Sequence, residues 1–138
     1  MPTIVHSPVP GPGGPCPCGS GDVFTECCGR FLSGAADAPT AVQLMRSRYT
    51  AFALGDAGHL RSTWHPDTLP DELDLDPDVD WYRLEVVGTA QGGPFDRAGE
   101  VEFRAFYGSG GERGELHERS RFRREGRRWL YVDGDVDA

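Results

Sequence analysis

The segment Glu115–Asp133, ELHERSRFRREGRRWLYVD, indicates the fold more directly than any other part of the chain. Polar and apolar side chains alternate with a period of two on both sides of a turn centred on Glu125-Gly126, which predicts an antiparallel β-hairpin. For a turn of two or four residues, the predicted cross-strand pairs are Phe122 with Trp129, Ser120 with Tyr131 and Glu118 with Asp133. These six side chains then share one face of the hairpin.

That aromatic face is expected to point inward and to end in the facing carboxylates of Glu118 and Asp133. Like charges directly opposed in a sheet require a cation or a proton between them. The register is conditional, because a bulged three-residue loop would shift the pairing.

The opposite face of the hairpin carries four arginines, Arg119, Arg121, Arg123 and Arg128. They form a solvated face, dock on an acidic protein or on RNA phosphates, or pair with the acidic segment 67–80. Because long charge blocks are commonly solvated or mutually neutralising, the pattern favours pairing with the acidic segment.

Helices precede the strands along the chain. Thr40 is a predicted N-cap for a helix that runs to Leu54 and stops at Gly55, and Asp56 is a predicted cap for a second helix through Leu60 to Trp64. Four predicted strands follow: Trp81–Val87, Glu100–Tyr107, Glu115–Arg124 and Arg127–Asp133. Helices followed by antiparallel strands predict an α+β fold, in which a curved sheet packs against helices.

Four cysteines fall within thirteen residues: Cys16, Cys18, Cys27 and Cys28. Four thiolates so close together predict one tetrahedral zinc ion with a structural role, because no coordination position stays open; a redox pair and an iron–sulfur cluster are the alternatives. Residues 1–15 have neither the basic nor the apolar region of a signal peptide, so we expect a reducing compartment, the cytoplasm.

Composition restricts the class of partner. The net charge is −8, and seven of the acidic residues lie between Asp67 and Asp80 without a basic residue among them. An acidic chain without a broad basic surface is not expected to bind duplex nucleic acid directly. No stretch approaches the roughly 20 apolar residues of a membrane span.

Several blocks of the sequence resemble known bacterial proteins. The cysteine run CPCGSG with its following Cys-Cys resembles the SEC-C motif, a zinc knob found at the C-terminus of the preprotein-translocase ATPase. The blocks LMRSRYTAF (44–52), TWHP (63–66), ERSRF (118–122) and WLYVDG (129–134) resemble the YchJ-like family, which is uncharacterised.

The resemblance implies a cystatin-like or nuclear-transport-factor-2-like cone of helices against a bent sheet, with an N-terminal zinc knob. The implied divisions are a disordered tail at 1–15, the knob at 16–30 and the cone at 38–138. Some members carry a second knob at the C-terminus, and this sequence ends at Ala138 without one.

A pocket inside the cone is the second candidate site. Its expected members are Arg46, Arg48, Tyr49, Trp64, His65, Glu118, Ser120, Trp129, Tyr131 and Asp133. Arg46 either points into the cone to compensate the two carboxylates or is an ordinary helix-surface arginine. His65 either caps a helix end or takes part in proton transfer, whereas His6, His59 and His117 are expected at the surface.

Two functions follow as hypotheses. In the first, the protein is a non-catalytic adaptor whose knob, at the exposed end of a flexible tail, contacts a protein, with ribosomal or translocase-related contact possible by resemblance. In the second, the cone binds a small molecule or is an acid–base enzyme that uses Glu118, Asp133, His65 and Tyr131. We favour the first, and so expect no catalysis.

Overall fold

The computed structural model describes residues 9–11 and 13–137. The predicted tail therefore lies largely outside the described residues, as does His6. The elements are a 3₁₀ turn (Phe24–Glu26), α1 (Cys28–Leu32), α2 (Ala41–Leu54), α3 (Ala57–Ser62), β1 (Val79–Gln91), β2 (Ala98–Ser109), β3 (Glu112–Glu125) and β4 (Arg128–Val136). The strands form one antiparallel sheet in the order β1-β2-β3-β4, which confirms the α+β prediction.

The helix ends are set by the predicted local signals. Thr40 Oγ1 accepts a hydrogen bond from the Gln43 amide, and Gly55 closes α2 in the left-handed conformation at φ 77°. Asp56 accepts from the His59 amide at the start of α3. Helix α3 ends at Ser62 rather than at Trp64, because the next residues run beside β4: the Tyr131 amide donates to the Thr63 carbonyl, at an N···O distance of 2.8 Å.

The register predicted for the last hairpin is wrong. The turn is centred on Gly126-Arg127, so that Phe122 lies opposite Tyr131 rather than Trp129. An irregularity between Arg121 and Phe122 then leaves Val132 as an extra residue in β4. Because one extra residue reverses which face a side chain points to, Asp133 lies on the outer face.

The outer arginines do not pair with the acidic segment as predicted. Arg121 binds the carboxylates of Asp133 and Asp135, with an Nε···Oδ1 distance of 2.6 Å to Asp133. Arg119 pairs with Glu102 on the neighbouring strand, and Arg128 lies 3.8 Å from Asp37. For Arg119 and Arg121, cross-strand carboxylates are already in register and neutralise the side chains locally.

The core has two parts. The first packs α2 on the sheet, with Met45, Val101, Phe122 and Trp129 almost fully buried. The second joins the cysteine-rich element to the cone, because Cys16, Cys18 and Cys28 share one buried cluster with Tyr49 and Ala105. The cysteine-rich element is therefore not separate from the cone, as a knob at the end of a tail would be, although its loop 19–22 is exposed.

None of the helices in the described ranges is long and apolar enough to cross a membrane.

Candidate metal centre and cone cavity

The four cysteine sulfurs lie within 4.8 Å of one another. Zn–S bonds of about 2.3 Å in a tetrahedron require sulfur–sulfur distances of roughly 3.8 Å, and the Cys18 and Cys27 sulfurs are 3.7 Å apart. Cys16, Cys18 and Cys28 are buried and Cys27 is half-buried. The residues therefore fit a closed thiolate site for one metal ion.

A short hairpin and a helix start bring these sulfurs together. The Cys16 amide donates to the Asp22 carbonyl, and the Gly19 amide turns back to the Cys16 carbonyl. Gly19 and Gly21 adopt φ values of 76° and 91°, which favour glycine. The 3₁₀ turn then delivers Cys27 and Cys28, the latter as the first residue of α1.

In this arrangement, ionisation of one cysteine disfavours ionisation of another. Hydrogen bonds from Cys16 and then Cys28 lower the pKa of Cys18. Sulfur contacts with Cys16 and Cys18, together with burial, raise the pKa of Cys28. A single thiolate is stabilised by its protonated neighbours, whereas four thiolates require a cation among them.

Helix α2 holds the cysteine-rich element against the cone. Arg46 Nη1 donates to the Cys18 carbonyl at 3.0 Å, and the Cys16 sulfur lies 3.9 Å from Thr50 Oγ1. The expectation that Arg46 points into the cone is therefore wrong. Because the cysteine-rich element packs on one side of α2, Arg46 turns to its backbone instead.

A cavity of about 260 Å³ lies between α2 and the inner face of the sheet. Its lining includes Arg48, Tyr49, Trp64, Glu118, Ser120 and Tyr131, all predicted as pocket residues. Trp129 is buried in the core and donates from its indole nitrogen to the Pro39 carbonyl, so it is a packing residue rather than a lining one.

Arg48 is the arginine of the cavity and is 6% exposed. Its Nη1 atom donates to the Leu60 carbonyl at 2.9 Å and to Thr63 Oγ1 at 2.7 Å. Its guanidinium carbon lies 4.8 Å from the Trp64 ring centre and 4.5 Å from that of Tyr131. Burial lowers the pKa of Arg48 to about 10, so the side chain stays charged at neutral pH.

Glu118 is the carboxylate of the cavity. Its Oε2 atom accepts hydrogen bonds from the Ser120 hydroxyl and, at 3.3 Å, from the Tyr131 hydroxyl. Asp133 lies across the sheet with Arg121, so the predicted pair of facing carboxylates does not form.

Two other lining residues carry buried polar atoms for which the described residues offer no partner: the Tyr49 hydroxyl and the Trp64 indole nitrogen. An unsatisfied buried polar atom costs about 1–3 kcal/mol. Burial also raises the pKa of Tyr49, which keeps its hydroxyl protonated. The lining of the cavity therefore has more hydrogen-bonding capacity than these residues satisfy.

The histidines are placed differently from the predictions. His65 is buried outside the cavity lining, where its Nε2 atom lies 2.9 Å from Glu125 Oε1 and its Nδ1 accepts from the Asp67 amide. His59, expected at the surface, is 8% exposed and bonds Ser47 Oγ. His117 is half-buried and pairs with Glu102.

Helical spacing does not separate Arg48 from Arg46. Arg48 stands four residues after Leu44, and Arg46 stands four residues after Val42 and three before Tyr49. Residues at these spacings share a helix face, so both arginines border apolar positions of α2. The burial of His59 likewise has no signal in the sequence, because it depends on how α3 packs on α2.

A wider groove of about 490 Å³ lies between residues 31–38, α3 and β4. It is lined by polar groups such as Asp37 and Arg128 and opens to solvent. The cone cavity is the better candidate, because it combines an apolar lining with a buried charge.

Both the cone and the cysteine-rich element match the models of known families. The model of the family described as "YchJ, middle NTF2-like domain" matches residues 40–134, and that of the SEC-C motif matches residues 15–30. A UPF0225 protein of Streptomyces avermitilis is 56% identical over 120 residues, which cover 87% of this chain and 83% of that protein.

Two solved structures are similar to the whole fold. The solution structure of a SEC-C motif containing protein from Rhodopseudomonas palustris has a TM-score of 0.79 and 35% identity, covering 89% of this chain and 98% of the other. The crystal structure of a SEC-C motif containing protein from Psychrobacter arcticus has a TM-score of 0.71 and 27% identity, covering 89% and 82%. The chain belongs to the UPF0225 family and carries a SEC-C motif followed by a YchJ-type NTF2-like domain.

Proposed function

We propose that the protein is a small-molecule-binding protein whose cone is braced by one structural zinc ion. Support for zinc comes from the donor set, since four sulfur ligands at tetrahedral spacing suit this ion and leave no position for a substrate. The cysteines pack on α2 and β2, so the ion would stabilise the cone itself. Because a site of four cysteine ligands requires reduced thiols, the proposed location is a reducing compartment, the cytoplasm.

Ligand binding is supported by one observation above the others: a buried, charged Arg48 lines an apolar cavity and forms no salt bridge with any carboxylate of the described residues, although Glu118 lines the same cavity. Ligand sites commonly combine apolar walls with a few convergent polar groups. Acid–base catalysis has less support, because Asp133 and His65 lie away from Glu118. We therefore propose binding rather than catalysis.

Filling the cavity tests this function. Ala105 is 2% exposed and lines the cavity, so Ala105→Leu places additional carbon atoms inside it. The matched control is Ala98→Leu, the same change at an exposed position of the same strand. Native mass spectrometry of protein purified from its own host should detect a bound small molecule in the wild type and in the Ala98→Leu variant, and none in Ala105→Leu. A wild-type protein free of small molecules that also fails to bind an added metabolite extract would contradict the proposal.

An adaptor role is a second candidate, supported by the exposed loop 19–22 beside the metal centre. Ser20 Oγ lies 3.2 Å from the Cys27 sulfur, so the metal would hold this loop in one conformation for a protein partner. Asp22→Arg changes the exposed surface of the loop while the cysteines remain. Loss of a captured partner on this change, and on Cys27→Ser, supports the adaptor; retention of every partner by both variants contradicts it.

A further inference from the structure

The charge of Arg48 is incompletely compensated. Both of its hydrogen bonds leave from Nη1 and reach neutral oxygens, and within residues 9–11 and 13–137 it forms no salt bridge. The Trp64 and Tyr131 rings supply cation–π contacts on the guanidinium. A buried cation is normally paired with an anion, because desolvation is costly. The N–H groups of Nε and Nη2 could bind such an anion bidentately.

Glu118 requires a hydrogen-bond donor from the ligand, whereas Arg48 requires an anion. Both of its hydrogen bonds converge on Oε2, from Ser120 and Tyr131. Among the described residues, Oε1 has no donor, although Glu118 lines the same cavity as Arg48. A carboxylate oxygen accepts only, so the matching ligand group is a hydroxyl or an ammonium.

The remaining lining is aromatic and aliphatic, with Phe52, Trp81, Phe103 and Leu116 among its residues. The cavity of about 260 Å³ is larger than the roughly 150 Å³ that holds a benzene molecule in an engineered cavity. It therefore suits a body of one substituted ring or a short branched chain.

Resting on the proposed ligand-binding function, we propose that the cavity binds a small carboxylic acid with an apolar body and a hydroxyl or ammonium group next to the carboxylate. The carboxylate pairs with Arg48, the adjacent donor reaches Glu118 Oε1, and the apolar body fills the space beneath Trp81 and Phe103. A phosphate dianion fits less well, since the cavity offers one cation and places Glu118 beside it.

Three related probes test this assignment by isothermal titration calorimetry at neutral pH: phenyllactate, 3-phenylpropionate and 2-phenylethanol. Phenyllactate carries both the carboxylate and the donor, 3-phenylpropionate lacks only the hydroxyl donor, and 2-phenylethanol lacks only the carboxylate. We expect phenyllactate to bind at least about tenfold more tightly than 2-phenylethanol, as charge-assisted hydrogen bonds contribute about this factor. 3-Phenylpropionate should lie between them.

Variants assign the roles of the two charged groups. Arg48→Met should remove the preference for both acids over the alcohol. Because Arg48 also holds the Leu60 carbonyl, that variant requires a folding check, and Glu118→Gln provides an independent test. Glu118→Gln should reduce the advantage of phenyllactate over 3-phenylpropionate several-fold, whereas Glu115→Gln on the same strand, with an exposed side chain, should leave it unchanged.

The possible results distinguish failure of the proposed acid class from failure of the proposed ligand-binding function. Equal affinity for 2-phenylethanol and phenyllactate, both sensitive to Ala105→Leu, overturns the acid class and leaves a ligand-binding cavity. Absence of binding by phenyllactate overturns the acid class as well, and a co-purified molecule then identifies the ligand. An unchanged phenyllactate preference in Glu118→Gln overturns the role of Glu118.

Discussion

The guanidinium of Arg46 donates a 3.0 Å hydrogen bond from α2 to the backbone carbonyl of Cys18, one of the four clustered cysteines. Arg46 is therefore a direct link between the cysteine cluster and the helix that forms one wall of the cavity. Its neighbour Arg48, two residues along the same helix, faces that cavity. Roughly opposite sides of one turn of α2 thus connect to two different sites.

Removing this link should weaken metal retention. Arg46→Met keeps the length of the side chain but deletes the donor, and we expect a loss of about 1–2 kcal/mol in the free energy of unfolding. Metal release to a chelator should be faster than in the wild type. Arg61→Met is the matched control, since Arg61 is exposed and bonds a loop carbonyl far from the cysteines. Equal release rates for both variants would show that the Arg46 contact does not stabilise the metal centre.

Metal removal should destabilise the cone as well as the cysteine-rich element. Cys16, Cys18 and Cys28 share a buried cluster with Tyr49 and Ala105, so loss of the ion exposes part of that cluster. We expect chelation, or Cys28→Ser, to lower the Tm monitored by the tryptophan signal, and zinc to restore it only in the wild type. A cone that unfolds at the same temperature with and without metal would contradict this coupling.

Acid should destabilise the protein through His59. Ser47 Oγ donates to the Leu44 carbonyl and so accepts from His59 Nε2, which defines the neutral tautomer. Burial lowers the pKa of His59 from 6.5 to about 4. The unfolded state then binds more protons between these values, so stability falls as pH decreases from about 6.5 to 4, by up to about 3 kcal/mol.

His59→Gln can keep a donor toward Ser47 but cannot titrate. Urea unfolding at pH 7 and pH 4.5 should show a smaller acid-induced loss in this variant than in the wild type. If the two proteins lose the same free energy, His59 is not the group responsible.

Close packing of β2 against the end of the β1–β2 pair and the start of α2 depends on Gly99. A Cβ atom at this position would lie 2.5 Å from the Gly92 Cα atom and 3.3 Å from the Ala41 Cβ atom. Gly99→Ala should therefore lower the free energy of unfolding by about 1–3 kcal/mol, as overpacking does. Gly88→Ala, in β1, is the control: a Cβ there meets no atom within 4 Å, so urea unfolding should show a neutral or slightly stabilising effect. Equal destabilisation by both changes would contradict the packing explanation.

Prediction from the sequence was most accurate where the interactions are local. Thr40, Gly55 and Asp56 act within one helical turn, so their capping roles follow from residue type and spacing. The cysteine cluster was found in the same way, since a short loop restricts where four sulfurs can go. All four strands were predicted, although each is longer in the structure at one or both ends.

The errors concern contacts between residues that are distant in sequence. Counting cross-strand pairs from the turn predicts Asp133 on the inner face of the sheet. The extra residue Val132 in β4 moves Asp133 to the outer face instead. Because both helix arginines flank the apolar stripe, the sequence is compatible with either of them inside the cone. In the structure, Arg46 binds the cysteine-rich element and Arg48 is the buried one. The second hypothesis groups His65 with the carboxylates of Glu118 and Asp133, whereas its ring contacts Glu125 near the hairpin turn.

The amino-acid sequence by itself determined the class of fold, the order of helices and strands and the clustering of the four thiols, because these depend on periodicity, capping and short loops. The tertiary structure alone decided that the thiols pack against the cone, that Arg48 and Glu118 face one cavity and that Asp133 does not. The physical reason is that a single extra residue in β4, or the docking of one small element on α2, redirects charged side chains whose local sequence is compatible with either position.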